Sequence, residues 1–383
     1  MGAQPRIRKS PVIIAIASAA LVSMTLAGCN TGGTSPTSET SFYEGKTIEI
    51  LVPAAPGGGT DTEARFFAPF LAEFLPGNPR VGIFNDNGAG GIVGGNLYAN
   101  NRDPEKATSF LYSSASHLLP WIFQDPGLEL DYSSLAPLMV SPTGAIAYVH
   151  SSTGITGPED FVQAVKDGAI KWTSGEGVPN GTGLMASLAF DLLGMEPNVV
   201  FGFDGRGPAR VAFQQQELNV NWDVSPTLVG DVDPLIEQGV AVPVFIFGKS
   251  FGGEIIDDPI LAEKYPDLPN LAEMYAMIHD EQPEGELWDA LVDLMVPSLT
   301  SIKVMWLHGD APEEAIAEVR QAFVDMSKSA KFKTAVQELM GDYGIVVGDD
   351  VEPVVDRLLN FSTETGDLLI DYMVENFDYR DPR

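Results

Sequence analysis

Two glycine-rich runs have the residue types and spacing to hold an anion. Pro56-Gly57-Gly58-Gly59-Thr60-Asp61 follows the apolar stretch Thr47–Val52, and Gly181-Thr182-Gly183 precedes the apolar-periodic stretch Leu184–Leu193. Glycine lets the backbone approach a ligand with no Cβ in the way. A helix that starts at such a loop leaves its first amide hydrogens unpaired and aimed at negative charge. Thr60 or Asp61 can cap the helix after the first run. The pair resembles two halves of a clamp, although either loop could simply turn the chain. Neither run continues as Gly-Lys-Ser/Thr, which excludes a P-loop, and no G-x-G-x-x-G follows Val52 to suggest a dinucleotide fold. Arg206, in Phe203-Asp204-Gly205-Arg206-Gly207-Pro208, adds a guanidinium fork that fits a carboxylate, with Asp204 as a competing partner.

Catalytic constellations are thin. The four histidines, His117, His150, His279 and His308, show no zinc-ligand spacing, and no G-x-S-x-G elbow exists. Asp61 and His117 could form a relay across neighbouring strands, but a capping aspartate and a loop histidine account for them equally. Asp231-Val232-Asp233, Asp257-Asp258 and Asp349-Asp350 lack the ordered oxygen spacing of a calcium loop. We expect no catalytic residue, no cofactor and no metal.

These loops need elements to position them, and the pattern supplies strand, glycine turn and helix in succession. Thr47–Val52 reads as a strand, 63–75 as a helix with Pro69 inside it, Val81–Phe84 as a strand, and Asp86–Gly95 as a turn into a helix. Phe110–Tyr112 is a third strand, ending in Ser113-Ser114-Ala115-Ser116-His117, where Ser114 and Ala115 join the candidates. Two apolar stretches in 136–150 could carry the chain into a second lobe. There the pattern restarts: a helix over 158–165, a strand over 170–173, the loop 174–183, a helix over 184–193 and a strand over 199–203. A short helix over 209–216, a strand over 218–224 ending in Trp222-Asp223, a helix over 233–238 and a strand over 240–247 follow. Later come a helix over 310–326 behind Asp-Ala-Pro-Glu-Glu, a helix over 330–340, a short strand over 345–347 and a helical region over 350–373. The recurrence predicts an α/β body with a mainly parallel sheet.

Composition bounds the function. Of 383 residues 44% are hydrophobic, which excludes a disordered chain, and 53 acidic against 22 basic residues give a formal charge of -31, which excludes a nucleic-acid binder. One cysteine excludes a disulfide scaffold. That cysteine closes an ordered leader: Arg6, Arg8 and Lys9, then the apolar Pro11–Ala27, then Leu26-Ala27-Gly28-Cys29. The order resembles a bacterial lipoprotein box. It predicts a signal peptide over 1–28, lipidation of Cys29 and a flexible tether over 29–42. Strong negative charge repels anionic headgroups, so the lipid is expected to be the only membrane contact.

The residues together resemble a known family. Ile50-Leu51-Val52-Pro53-Ala54-Ala55-Pro56-Gly57-Gly58-Gly59-Thr60-Asp61 is similar to the first signature of the tripartite tricarboxylate transporter substrate-binding proteins. Asn87-Gly88-Ala89-Gly90-Gly91 resembles their next glycine turn, Gly181-Thr182-Gly183 their second-lobe ligand loop, and Trp222-Asp223 the aspartate after the following strand. Asp204 and Arg206 depart from the pattern, since a lysine is usual nearby. The resemblance spans about residues 46 to 347. It implies a two-lobed, periplasmic-binding-protein-like α/β fold of type II with the ligand cleft between lobes. Lobe 1 would comprise 43–144 and 246–383, and lobe 2 would comprise 145–245. It implies a monomeric extracytoplasmic receptor, not an enzyme, that binds a di- or tricarboxylate or an aromatic carboxylate. Such a receptor delivers its acid to a large and a small membrane permease subunit. Pro56 to Asp61, Ser114, Ala115, Gly181 to Gly183, Asp204, Arg206 and Asp223 would hold the acid. The alternatives are a lipid-anchored sensor or scaffold of the same fold and an extracytoplasmic hydrolase.

Overall fold

Residues 41–57, 59–101, 103–203, 205–300, 302–341 and 343–383 are described by the structure, a computed structural model. The leader, Cys29, the tether up to residue 40, Gly58 and Asp204 lie outside the described residues. The last two residues of the expected tether, Ser41 and Phe42, are already held by the body. The Ser41 hydroxyl donates to Glu318 Oε2 at 2.8 Å and the Phe42 N–H to Oε1 at 2.9 Å.

Apolar alternation builds the first sheet. β1 (Thr47–Val52) sends Ile48, Ile50 and Val52 to one face and Leu51 to the other. Helix α1 (Gly59–Phe74) returns the chain to β2 (Arg80–Asn85), and α2 (Ile92–Asn101) returns it to β3 (Ser109–Ser114). Both β2 and β3 run parallel to β1. Pro69 lies inside α1 on its exposed side, where water can satisfy the carbonyl that the missing N–H leaves free. After α3 (Ala115–Ile122), β4 (Leu135–Ser141) ends beside β5 (Ala145–His150), and only Pro142, Thr143 and Gly144 separate the two strands.

β5 belongs to a different sheet. Helix α4 (Pro158–Asp167), β6 (Thr173–Glu176), α5 (Gly183–Leu192), β7 (Asn198–Phe201) and α6 (Arg206–Gln214) follow it. β6 and β7 pair in parallel. β8 (Val220–Val224) and β9 (Ala241–Ile246) then flank β5, both antiparallel to it. A hairpin of β10 (Lys249–Phe251) and β11 (Glu254–Ile256) precedes helices over Leu271–His279 and Glu286–Met295. Finally β12 (Lys303–His308) enters the first sheet, antiparallel to both β3 and β4, giving the order β2-β1-β3-β12-β4.

The sheets are therefore mixed, not mainly parallel: connections through helices give parallel pairs, while β12 and β5 meet their neighbours head to tail. β6 begins three residues later than its expected strand, because the run 170–172 precedes the ladder. Val346 makes only an isolated bridge to Val140, and 350–373 splits into helices Val351–Leu359 and Thr363–Phe377. The helix Glu313–Lys328 starts without a side-chain cap, and Glu313 and Glu314 in its first turn complement the helix dipole instead.

Two hydrophobic clusters form the core, and each takes residues from the five-stranded sheet and from the β8-β5-β9 sheet. Ile50, Tyr112 and Met305 join Ile146 and Tyr148 in one. Leu51, Leu111 and Trp306 join Ala147, Trp222 and Phe245 in the other. Residues 40–383 accordingly form a single compact unit.

Candidate functional site

A cavity of about 430 Å³ opens where parallel strands end. Its walls are Pro53–Ala55 after β1, Asn87–Gly91 after β2, Ser116 and His117 after β3, Glu176–Val178 after β6, Gly181–Gly183 entering α5, and Gly205–Arg206 after β7. Every wall segment thus follows the carboxyl end of a parallel strand or opens the helix behind it, the place where open α/β sheets bind ligands. Across the cavity the Ser116 and Thr182 hydroxyls stand 3.5 Å apart. They belong to the first turn of α3 and the N-cap of α5, so two helix starts face the same space.

On the first-sheet side, Ser114 caps α3 and its N–H donates to Nδ1 of His117 at 3.0 Å. Nδ1 therefore carries no proton, and Nε2–H is the donor of the neutral ring. Burial, together with the Lys303 charge, pushes the His117 pKa down to about 4. Gly91 packs against this ring: a Cβ there would lie 2.5 Å from His117 Cδ2, at a backbone φ of +98°. Beneath them the buried Lys303 ammonium pairs with Glu63, whose other oxygen accepts from Tyr112 Oη at 2.8 Å and Ser141 Oγ at 3.2 Å.

Across the cavity, where β6 and β8 end, charge is tied into a network. Arg206 Nη1 donates to Glu176 Oε2 at 2.9 Å and to the Gly175 carbonyl at 3.0 Å. Its Nη2 donates to Asn221 Oδ1 and, at 2.6 Å, to the Trp222 carbonyl, while the guanidinium lies 4.5 Å from the Trp222 ring. Trp222 Nε1 donates to Glu176 Oε1 at 2.8 Å. Burial pushes the Glu176 pKa up, and Arg206 and Trp222 oppose that rise. Asn221 continues to Tyr148, and Tyr148 to Asp223, which takes a bidentate pair from Arg210.

The expected residues divide. Gly181, Thr182, Gly183 and Arg206 line the cavity. Pro56, Gly57, Gly59, Thr60 and Asp61 do not; the residues just before them, Pro53–Ala55, take that place. The reason is local: the Gly57 N–H donates to Asp61 Oδ2 at 2.7 Å, and Asp61 also pairs with Arg65, so this loop spends its donor on itself. Burial raises the Asp61 pKa, but Arg65 and the Gly57 N–H outweigh it and hold the carboxyl below its ordinary range. Asp61 and His117 make no relay: Asp61 Oδ2 accepts from the Gly57 N–H and Arg65, and His117 Nδ1 accepts from the Ser114 N–H. Ser114 and Ala115 are not in the wall, to which Ser116 and His117 contribute. Asp223 is fully buried against Arg210, away from the cavity wall. The arginine fork is occupied, which departs from a role in gripping a ligand carboxylate. Ser116, His117 and Glu176 were not among the expected residues. The dipeptide Ser116-His117 at a strand end is a usable signal, whereas a strand expected over 170–173 puts Glu176, the last residue of β6, in the loop that follows.

No family model matches the sequence, and no curated protein matches it significantly. Solved structures do share the fold. The periplasmic binding protein BugD is 18% identical, with a TM-score of 0.59 over 87% of this chain and 98% of its own. A Rhodopseudomonas palustris protein solved with adipate is 16% identical, with a TM-score of 0.58 over 87% and 97%. MatC of Rhodopseudomonas palustris, solved with malate, is 16% identical, with a TM-score of 0.54 over 87% and 98%. The chain has the two-lobed α/β fold of periplasmic binding proteins.

Proposed function

We propose that this chain is an extracytoplasmic receptor for a small organic carboxylate and a member of the tripartite tricarboxylate transporter substrate-binding family. One observation carries the reading: two helix starts, with the hydroxyls of Ser116 and Thr182, converge on a cavity of about 430 Å³ at the ends of parallel strands. The shared fold supports it, since neighbours of that fold hold malate and adipate. In this reading the acid sits among Ser116, the Asn87–Gly91 turn and Gly181–Gly183. The lobes are 43–144 with 246–383, and 145–245. Cys29 carries the anchor, and a large and a small permease subunit receive the acid.

A thermal-shift screen of carboxylates followed by calorimetry tests the reading. A ligand at 100 times its dissociation constant adds about 2.7 kcal/mol to stability. Thr182→Val keeps the shape and removes one donor, and is expected to weaken the best ligand about tenfold, equivalent to about 1.4 kcal/mol. Full affinity in both Thr182→Val and Ser116→Ala would move the site elsewhere.

A further inference from the structure

The cavity's charge balance restricts the acid further. Among the described residues, Glu176 is the one acidic and Arg206 the one lysine or arginine side chain in its wall. Four of the five guanidinium hydrogens have acceptors on Glu176, Gly175, Asn221 and Trp222. The remaining Nε–H is buried and unpartnered, so the fork is not offered to the cavity. Glu176 is 3% exposed and lies directly under the first residue of α5, where a Cβ on Gly183 would collide with its carboxylate. The helix start that would draw a ligand carboxylate on this side is thus already occupied by the chain's own carboxylate.

We propose that the Glu176–Arg206 pair makes the β6–β7 wall select an acid whose far end is neutral and donates a hydrogen bond, a hydroxy or amide monocarboxylate. The inference rests on the receptor reading above. The ligand carboxylate then faces Ser116, His117 Nε2–H and the Asn87–Gly91 turn. Its far hydroxyl or amide donates to Glu176, whose oxygens each accept only one hydrogen bond from the protein and retain acceptor capacity. A second carboxylate at this wall would meet Glu176 with no free cation. Recruiting Arg206 would strip a buried carboxylate of its partner.

Calorimetry on the purified protein with length-matched acids tests this: succinate, 4-hydroxybutanoate and succinamate, then the five- and six-carbon sets. At the best-binding length, the hydroxy or amide acid is expected to bind at least tenfold tighter than the dicarboxylate. Glu176→Gln is expected to reduce that ratio at least tenfold. A preference for the dicarboxylate, or a ratio unchanged in a folded Glu176→Gln, overturns the selectivity and leaves the receptor reading standing. No binding by any acid, or binding indifferent to Thr182→Val and Ser116→Ala, overturns the receptor reading and the selectivity with it. Should Glu176→Gln fail to fold, the wild-type ratio decides alone.

Discussion

His117 is held neutral by burial, and that has a measurable cost in acid. Its folded pKa of about 4 lies below the ordinary value of 6.5. The unfolded chain therefore takes up a proton first as pH falls. Stability from this group is complete above pH 6.5 and is lost progressively between 6.5 and 4, by roughly 3 kcal/mol in all. His117→Ala is expected to be less stable at pH 7.5, because Ser114 N–H loses its acceptor, yet to lose less on acidification. Urea midpoints at pH 7.5, 6, 5 and 4 compare the two slopes, and parallel curves would contradict the assignment. Beneath it, Lys303 and Glu63 form a buried pair. Lys303→Met leaves Glu63 without its cation and is expected to cost about 3–5 kcal/mol. Lys303→Met combined with Glu63→Gln should recover part of that loss in equilibrium unfolding, since no buried charge is left and the amide oxygen still accepts from Tyr112 and Ser141.

The start of α5 is the element on which the site depends most. Gly183 allows the helix to begin directly over Glu176, and Glu176 cannot retreat without leaving Arg206 and Trp222. Gly183→Ala is expected to destabilise by about 1–3 kcal/mol through overpacking, read as a lower unfolding midpoint, and to weaken ligand binding as well. An unchanged midpoint would mean that the carboxylate relocates freely. Much of this element was legible beforehand: the apolar spacing of Leu184, Met185, Leu188 and Ala189 and the preceding glycines located α5 to within one residue. β1, β2 and β3 were legible for the same reason. β12 was not, because its six residues are all buried and so show no alternation. The first glycine loop misled for a different reason. Spacing shows that amide donors exist there, but not that Asp61 consumes the Gly57 N–H. The partner of Arg206 was equally hidden, since Glu176 lies thirty residues earlier in sequence and meets it only through the pairing of β6 with β7.

At the scale of the molecule, each of the two core clusters draws on more than one sheet. Each contains side chains from the five-stranded sheet and from the β8-β5-β9 sheet, so neither sheet can lose its packing without exposing part of the other's. Calorimetry is expected to show one transition, with calorimetric and van't Hoff enthalpies in agreement; two resolved transitions would show that the lobes fold separately. The position of β12 has a further consequence for the order of events as the chain is made. β3 and β4 are joined through residues 303–308, so the first sheet stays split until nearly the whole chain is available. Pairing across so long a loop is slow. Closure of the first sheet is thus a late event: two pieces made early wait for a strand that the chain supplies after residue 300.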